Sequence, residues 1–82
     1  MEPGVAFGRV VRKRRTEAGL SQERLGFEAG LGRVFVSWIE TGQKQPTFRT
    51  ILKLAAALGC SGSILVAEAE ALLNADETQP EV

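Results

Sequence analysis

Histidine is absent from this sequence, and cysteine occurs only once, as Cys60. A single thiol cannot form an internal disulfide, and without histidine the chain has no set of ligands for a zinc site. No spacing of serine, lysine and carboxylate residues indicates a nucleophile with its base. We therefore expect no metal, no cofactor and no enzymatic activity, and we interpret Cys60 as a buried, inert thiol.

Long apolar runs are also missing. The amino-terminal stretch MEPGVAFGRVVRKRR has no apolar segment of signal-peptide length, and no later segment approaches the length of a membrane span. A chain of 82 residues has room for one small domain. We therefore expect a single cytoplasmic domain with no membrane partner and no evident small-molecule ligand.

Neither sign of charge is in excess, because ten Lys and Arg residues balance ten Asp and Glu residues. A net charge of zero argues at first against nucleic acid, since affinity for DNA comes largely from neutralising phosphates. However, residues 1–49 carry nine basic and five acidic residues, whereas residues 50–82 carry one basic and five acidic residues. This asymmetry fits either an electrostatic role for the basic half or ordinary surface variation.

Helical periodicity is the main positive signal. Apolar residues recur at three- and four-residue spacing and predict five helices, at residues 6–18, 22–29, 33–41, 48–58 and 62–74. Ser21, Thr47 and Ser61 can cap the second, fourth and fifth of these helices. No strand pattern is present, so the predicted fold class is all-α. We expect a compact five-helix domain over residues 1–74 and a disordered acidic tail at residues 75–82.

The segment LSQERLGFEAGLGRVFVSWIETGQKQP, residues 20–46, contains two short predicted helices joined by a turn that Gly30 and Gly32 mark. On the second of these helices, Val36 and Ile39 share one face. The opposite face carries four residues: Arg33, Val34, Ser37 and Trp38. A second helix that packs with one face and exposes the other is typical of a helix-turn-helix protein that binds DNA.

An ordered set of short motifs extends over most of the chain. It comprises Val11 and Arg12, Arg15, GLSQ at residues 19–22, Gly30, SWIETG at residues 37–42, Pro46, and AAALG at residues 55–59. With these motifs the chain resembles the Cro and phage-repressor family, also called the xenobiotic-response-element family, whose members include restriction-modification controllers. The resemblance implies a lambda-repressor-like domain that binds a palindromic DNA operator as a homodimer, with its third helix in the major groove.

The resemblance also implies roles for individual residues. Positions that face base edges in the family are occupied by Arg33, Val34, Ser37 and Trp38. Gln22 matches a phosphate-contacting position, and Arg15 and Glu40 match an ion pair that ties the first helix to the end of the third. The polar loop before the fourth helix independently suits a phosphate, because N–H groups are free at a helix start. The remaining predicted phosphate contacts are Gln43, Lys44, Thr47, Arg49 and Arg12.

Several positions depart from the family pattern. Gly32 replaces the usual Ser or Thr cap of the third helix, and Gly26 replaces alanine inside the second, where we expect Phe27 or a neighbouring helix to crowd the chain. Arg14 replaces leucine, and we expect its stem to cover the core edge while its guanidinium reaches water or phosphate.

Two aromatic residues of the third helix lack a family counterpart. Trp38 has two interpretations: it wedges against sugar and base edges in the groove, or it packs over the first helix and the loop near Lys44, which we favour. We expect Phe35 to pack under the turn together with Phe27.

The fifth predicted helix carries more apolar surface than a small core can cover. We therefore predict a dimer interface formed by Ile64, Leu65, Ala69, Leu72 and Leu73. The alternative function is an antitoxin-type interaction module, which would hold a partner protein with this helix or with the acidic tail and regulate its own operon.

Overall fold

A computed structural model describes residues 1–77, which form five helices and no strand. They are α1 (Pro3–Glu17), α2 (Gln22–Ala29), α3 (Arg33–Glu40), α4 (Phe48–Leu58) and α5 (Gly62–Glu77). The all-α fold class is confirmed. α1 begins at Pro3 rather than at residue 6, because a proline is well suited to the first turn, where its missing N–H would have no partner in the helix.

The disordered tail was predicted to begin at residue 75, and this is wrong for residues 75–77, which continue α5. Alanine favours a helix, and the carboxylate of Asp76 lies 2.6 Å from the amino-terminal ammonium of Met1. That ammonium lowers the pKa of Asp76 through a hydrogen bond and its charge. The rest of the predicted tail, residues 78–82, lies outside the described residues.

Side chains from all five helices meet in one core. The largest fully buried ones are Val11 of α1, Leu25 of α2, Val36 and Ile39 of α3, Leu54 of α4 and Leu65 of α5. α1 packs along α5 and across α3, and α4 closes the bundle against α2 and α5. The helix-turn-helix pair α2 and α3 is therefore held on a rigid base.

The three predicted side-chain caps are present. The Ser21 hydroxyl accepts from the N–H of Arg24 at 2.9 Å, and the Thr47 hydroxyl accepts from the N–H of Thr50 at 3.2 Å. The Ser61 hydroxyl accepts from the N–H of Ile64 at 3.3 Å. Each bond satisfies one of the N–H groups that a helix start leaves bare, so α2, α4 and α5 begin where the sequence predicted.

One side chain lies elsewhere than predicted, and another has a partner that was not predicted. Phe27 does not pack under the turn: it is 75% exposed, and the guanidinium of Arg24 lies 5.4 Å from the centre of its ring. Phe35 packs against the core without it. The guanidinium of Arg14 has a partner that was not predicted, the carboxylate of Glu68 on α5, with Nε 2.9 Å from Oε1, and the Arg14 side chain remains 29% exposed. Val10, one turn earlier on α1, is buried.

No single helix of residues 1–77 is both long and apolar enough to cross a membrane. α4 and α5 would satisfy that criterion only if they were joined, and they are bent by 103° relative to each other.

Candidate nucleic-acid interface

Gly26 allows α2 and α3 to meet closely. The N–H of Leu31, in the turn, donates to the carbonyl oxygen of Gly26 at 2.7 Å. A Cβ atom on Gly26 would lie 2.6 Å from the carbonyl oxygen of Leu31, which is closer than such atoms can approach. The predicted crowding is therefore confirmed, but its source is the backbone of the turn. The start of the neighbouring helix also lies in van der Waals contact, with the N atom of Arg33 at 3.5 Å.

α3 presents one face and buries the other, as predicted. Val36 and Ile39 are fully buried. Arg33, Val34 and Trp38 are exposed on the opposite side, and Ser37 is half-buried between them. The residues predicted to face DNA bases thus form one continuous surface along a helix of eight residues.

The carboxyl end of α3 is fixed by Glu40, whose side chain is only 2% exposed. The predicted ion pair with Arg15 is present and bidentate: Nε lies 2.6 Å from Oε2, and Nη2 lies 3.0 Å from Oε1. Arg15 also donates to the carbonyl oxygen of Leu20 at 2.8 Å, and Gln22 donates to Oε1 of Glu40 at 3.1 Å. The hydrogen bond to Glu40 raises the pKa of Arg15. One buried carboxylate thereby connects α1, α2 and α3.

The amino end of α3 has no comparable support. Gly32 occupies the cap position and provides no side-chain hydrogen bond, so the predicted weak cap is confirmed. The first turn of α3 also contains no acidic residue. Its bare N–H groups and the positive end of the helix dipole are therefore available to an anion.

The loop between α3 and α4 is folded back onto Trp38. The carbonyl oxygen of Trp38 accepts from the N–H of Gln43 at 2.8 Å and from the N–H of Lys44 at 3.2 Å. The ammonium of Lys44 lies 5.5 Å from the centre of the Trp38 ring. The contact with the loop at Lys44 that the favoured interpretation of Trp38 predicted is therefore present, and packing over α1 and wedging in the groove stay predictions.

The predicted phosphate-contacting side chains lie on the loop after α3 and on α1, α2 and α4. Gln43, Lys44, Thr47 and Arg49 follow α3 along the loop and the start of α4, all exposed, and Arg12 is exposed on α1. The hydroxyl of Thr47 is already used as the cap of α4. Gln22 is half-buried and bound to Glu40, but its amide group has a second N–H to donate.

The structure corrects part of the predicted dimer interface. Leu65 and Ala69 belong to the core of the chain itself, with exposures of 0% and 6%, because they lie on the side of α5 that packs against α1 and α4. Leu72 and Leu73 are half-buried against the same core. Among the predicted interface residues, Ile64 is the exposed one, at 42%.

Three other exposed apolar side chains of α4 and α5 were missed in the sequence: Phe48, Leu52 and Val66. Phe48 and Leu52 are four residues apart on α4, outside its core-facing stripe, and that spacing was the available signal. Leu52 lies against the start of α5, where a Cβ on Gly62 would be 3.1 Å from Leu52 Cδ2. We call Phe48, Leu52 and Ile64 the α4–α5 surface.

Comparison with known proteins identifies the family. The family described as "Helix-turn-helix domain" matches residues 6–75. Control protein C.BamHI of Bacillus amyloliquefaciens is 41% identical over 54 residues, which are 65% of this chain and 67% of that protein. The chain spans about two thirds of the length of the curated relatives it matches.

Two solved structures are similar in fold and sequence. The restriction-modification controller protein C.AhdI from Aeromonas hydrophila has a TM-score of 0.74 and 45% identity, covering 76% of this chain and 94% of its own. The P22 c2 repressor in complex with a synthetic operator has a TM-score of 0.68 and 32% identity, covering 72% and 89%. The chain therefore belongs to the helix-turn-helix domain family and is a transcriptional regulator of the Cro and phage-repressor type, with a lambda-repressor-like fold.

Proposed function

We propose that this regulator binds a palindromic operator as a homodimer, with α3 in the major groove. The observation that carries the proposal is the contrast between the two sides of α3. Its inner side and its carboxyl end are fixed by Val36, Ile39 and Glu40, while Arg33, Val34 and Trp38 remain exposed on one face. A helix held in this way can enter a groove without rearranging the core.

Base recognition falls first to Arg33 in this proposal. Its guanidinium can donate two parallel hydrogen bonds to O6 and N7 of guanine, a contact worth about 1–3 kcal/mol of discrimination. Val34, which is 50% exposed, can contact the methyl group of thymine. Ser37 can donate or accept, so it adds little discrimination by itself.

Phosphate contacts surround this reading face. Lys44 and Arg49 provide charge on the loop and at the start of α4, and the N–H groups at the start of α4 can donate to the same phosphate. Gln43 and Thr47 lie beside them, Arg12 adds a cation from α1, and Gln22 can donate its second amide hydrogen. Such contacts fix the orientation of α3 and carry no sequence information of their own.

We place the dimer contact on the α4–α5 surface. Its three side chains are between 42% and 75% exposed, although each is large and apolar. α5 also exposes the small apolar residues Ala67 and Ala71 on its outer side. A second copy of the chain would cover this surface and set two α3 helices about 34 Å apart, one turn of DNA.

The assignment of Arg33 to a base is tested by comparing it with Arg49, a second exposed arginine. Duplexes are selected from a random-sequence library with the wild-type protein, and their affinity is measured beside that of an unselected duplex over a range of salt concentrations. We expect Arg33→Ala to weaken binding to the selected duplex only, and Arg49→Ala to weaken binding to both and to reduce the salt dependence. Equal losses on both duplexes for Arg33→Ala would contradict its assignment to a base.

The dimer is tested by comparing two equally exposed phenylalanines. Phe48 on the α4–α5 surface and Phe27 on α2 are each 75% exposed. We expect Phe48→Ser to shift the sedimentation mass towards one chain and Phe27→Ser to leave it unchanged. A wild-type mass of one chain at high micromolar concentration would remove the homodimer from the proposal.

Within the family, we propose that the chain serves as a restriction-modification controller in the cytoplasm. The similar protein at 45% identity is a restriction-modification controller by name, and the one at 41% identity is named a control protein. The genes that flank this one provide the test. Neighbouring restriction and methyltransferase genes support the controller role, whereas a neighbouring toxin gene whose product co-purifies with the chain supports the antitoxin alternative.

A further inference from the structure

We infer that Trp38 positions the phosphate-binding loop and does not read bases, an inference that rests on the proposed DNA-binding function. Trp38 occupies the presented face of α3, where a side chain would ordinarily be assigned to the groove. In the structure, the backbone carbonyl and the ring of Trp38 both contact Lys44 instead.

The backbone contact shapes the loop. A single carbonyl oxygen, that of Trp38, accepts the N–H groups of Gln43 and Lys44 at 2.8 and 3.2 Å. These bonds turn the chain back immediately after α3, so that Lys44 emerges beside the ring of Trp38. Because they involve backbone atoms, they survive replacement of the Trp38 side chain.

The ring contact holds the charge of Lys44. The ammonium lies 5.5 Å from the ring centre, within the range of a cation–π interaction. Trp38 is 39% exposed, so the ammonium keeps access to solvent and to a phosphate. A free lysine side chain must lose rotamer freedom when it binds a phosphate, and the ring has already restricted that freedom.

The same geometry opposes a role for Trp38 as a wedge between bases. A base or sugar that stacked on the occupied face of the ring would have to displace the ammonium of Lys44. That displacement would remove a charge that favours binding to DNA. The ring and the ammonium therefore act together on the backbone of the duplex.

The test is a double-mutant cycle with Trp38→Leu and Lys44→Met, measured on an unselected duplex and on a duplex selected by the wild-type protein. We expect Trp38→Leu to weaken both duplexes equally, by about two- to tenfold per subunit, the size of the rotamer freedom that an unrestrained Lys44 side chain would lose on binding. In the Lys44→Met background the same change should have no further effect. Trp38→Phe keeps a ring and should restore part of the loss.

Either of two results would overturn the inference. One is an equal loss from Trp38→Leu with and without Lys44, and the other is a loss confined to particular base pairs of the selected duplex. Failure of the wild-type protein to retain any duplex would instead remove the proposed function.

The fluorescence of Trp38 in the free protein tests its contact with Lys44 without DNA. Trp38 is the only tryptophan of the chain, so its fluorescence reports the ring contact directly. We expect Lys44→Met to change the emission of the free protein and Arg49→Met to leave it unchanged. Unchanged emission in Lys44→Met would show that the ring and the ammonium are not in contact, which also overturns the inference.

Discussion

Gly8 of α1 lies against the carbonyl oxygen of Ile39 so closely that a Cβ atom on Gly8 would be 2.2 Å from that oxygen. The carbonyl oxygen of Glu40 would be 2.7 Å away. α1 therefore crosses the last turn of α3 in backbone contact, and no side chain fits between them. The direction of α3 depends on this crossing.

Gly8→Ala should destabilise the protein. Alanine gains about 1 kcal/mol in helix propensity, but the clash with two backbone carbonyl groups costs about 1–3 kcal/mol or more, since neither can move without shifting α3. Thermal unfolding followed by circular dichroism measures the difference. Gly4→Ala on the same helix is the matched control, because its Cβ would meet only the side chain of Gln45, at 3.3 Å. A Tm for Gly8→Ala at or above that of Gly4→Ala would contradict the crossing geometry.

Glu40→Gln should be far more damaging than its small change in shape indicates. The guanidinium of Arg15, 12% exposed, would lose its only carboxylate partner in the described structure, and an unpaired buried charge costs about 3–5 kcal/mol. The midpoint of urea unfolding measures this cost. Glu28→Gln removes the exposed pair with Arg24 and should cost less than about 0.5 kcal/mol. Similar midpoints for the two variants would mean that the Arg15–Glu40 pair does not support the fold.

The ion pair between Arg14 and Glu68 should make stability depend on pH in the acid range. The hydrogen bond from Arg14 lowers the pKa of Glu68 below its ordinary value of 4.5. The stabilisation is therefore complete above that value and is lost as the pH falls through the lowered pKa. We expect the wild type to have a higher Tm than Glu68→Gln at neutral pH and the difference to vanish in acid. Asp76, whose pKa is also lowered, is present in both proteins and cancels. A difference that is constant from neutral to strongly acid pH would rule out the pair as its source.

Gly32→Ser should stabilise the start of α3. The backbone at Gly32 is extended, with φ of −72°, and a Cβ there would meet no other atom within 4 Å. A serine hydroxyl could then accept an N–H of the first turn, which is worth a few tenths of a kcal/mol relative to glycine. Ser21→Gly, which removes the existing cap of α2, should lose a similar amount. A lower Tm for Gly32→Ser would show that the added hydroxyl does not act as a cap.

The local parts of this fold could be predicted from the sequence. α2 and α4 have the predicted bounds because caps and glycines mark their ends within a few residues. The ion pair between Arg15 and Glu40 was implied because both residues match family motifs, and the structure contains this ion pair.

The orientation of α5 could not be predicted. The helix is apolar on more than one side, so periodicity did not reveal that Leu65 and Ala69 face inward and Ile64 outward. The pair of Arg14 and Glu68 joins residues 54 positions apart, and no short motif links them. Trp38 had two interpretations in the sequence, because its contact with Lys44 depends on the path of the loop between α3 and α4.

The unequal ends of α3 have a consequence for its motion. Its carboxyl end is connected to two other helices through Glu40, whereas its amino end, at Gly32, has no side-chain cap. The amide hydrogens at the start of α3 should consequently exchange with solvent faster than those near Glu40. The amino end of α3, which carries Arg33, can then adjust to a base pair by local fraying while Glu40 keeps the carboxyl end in place.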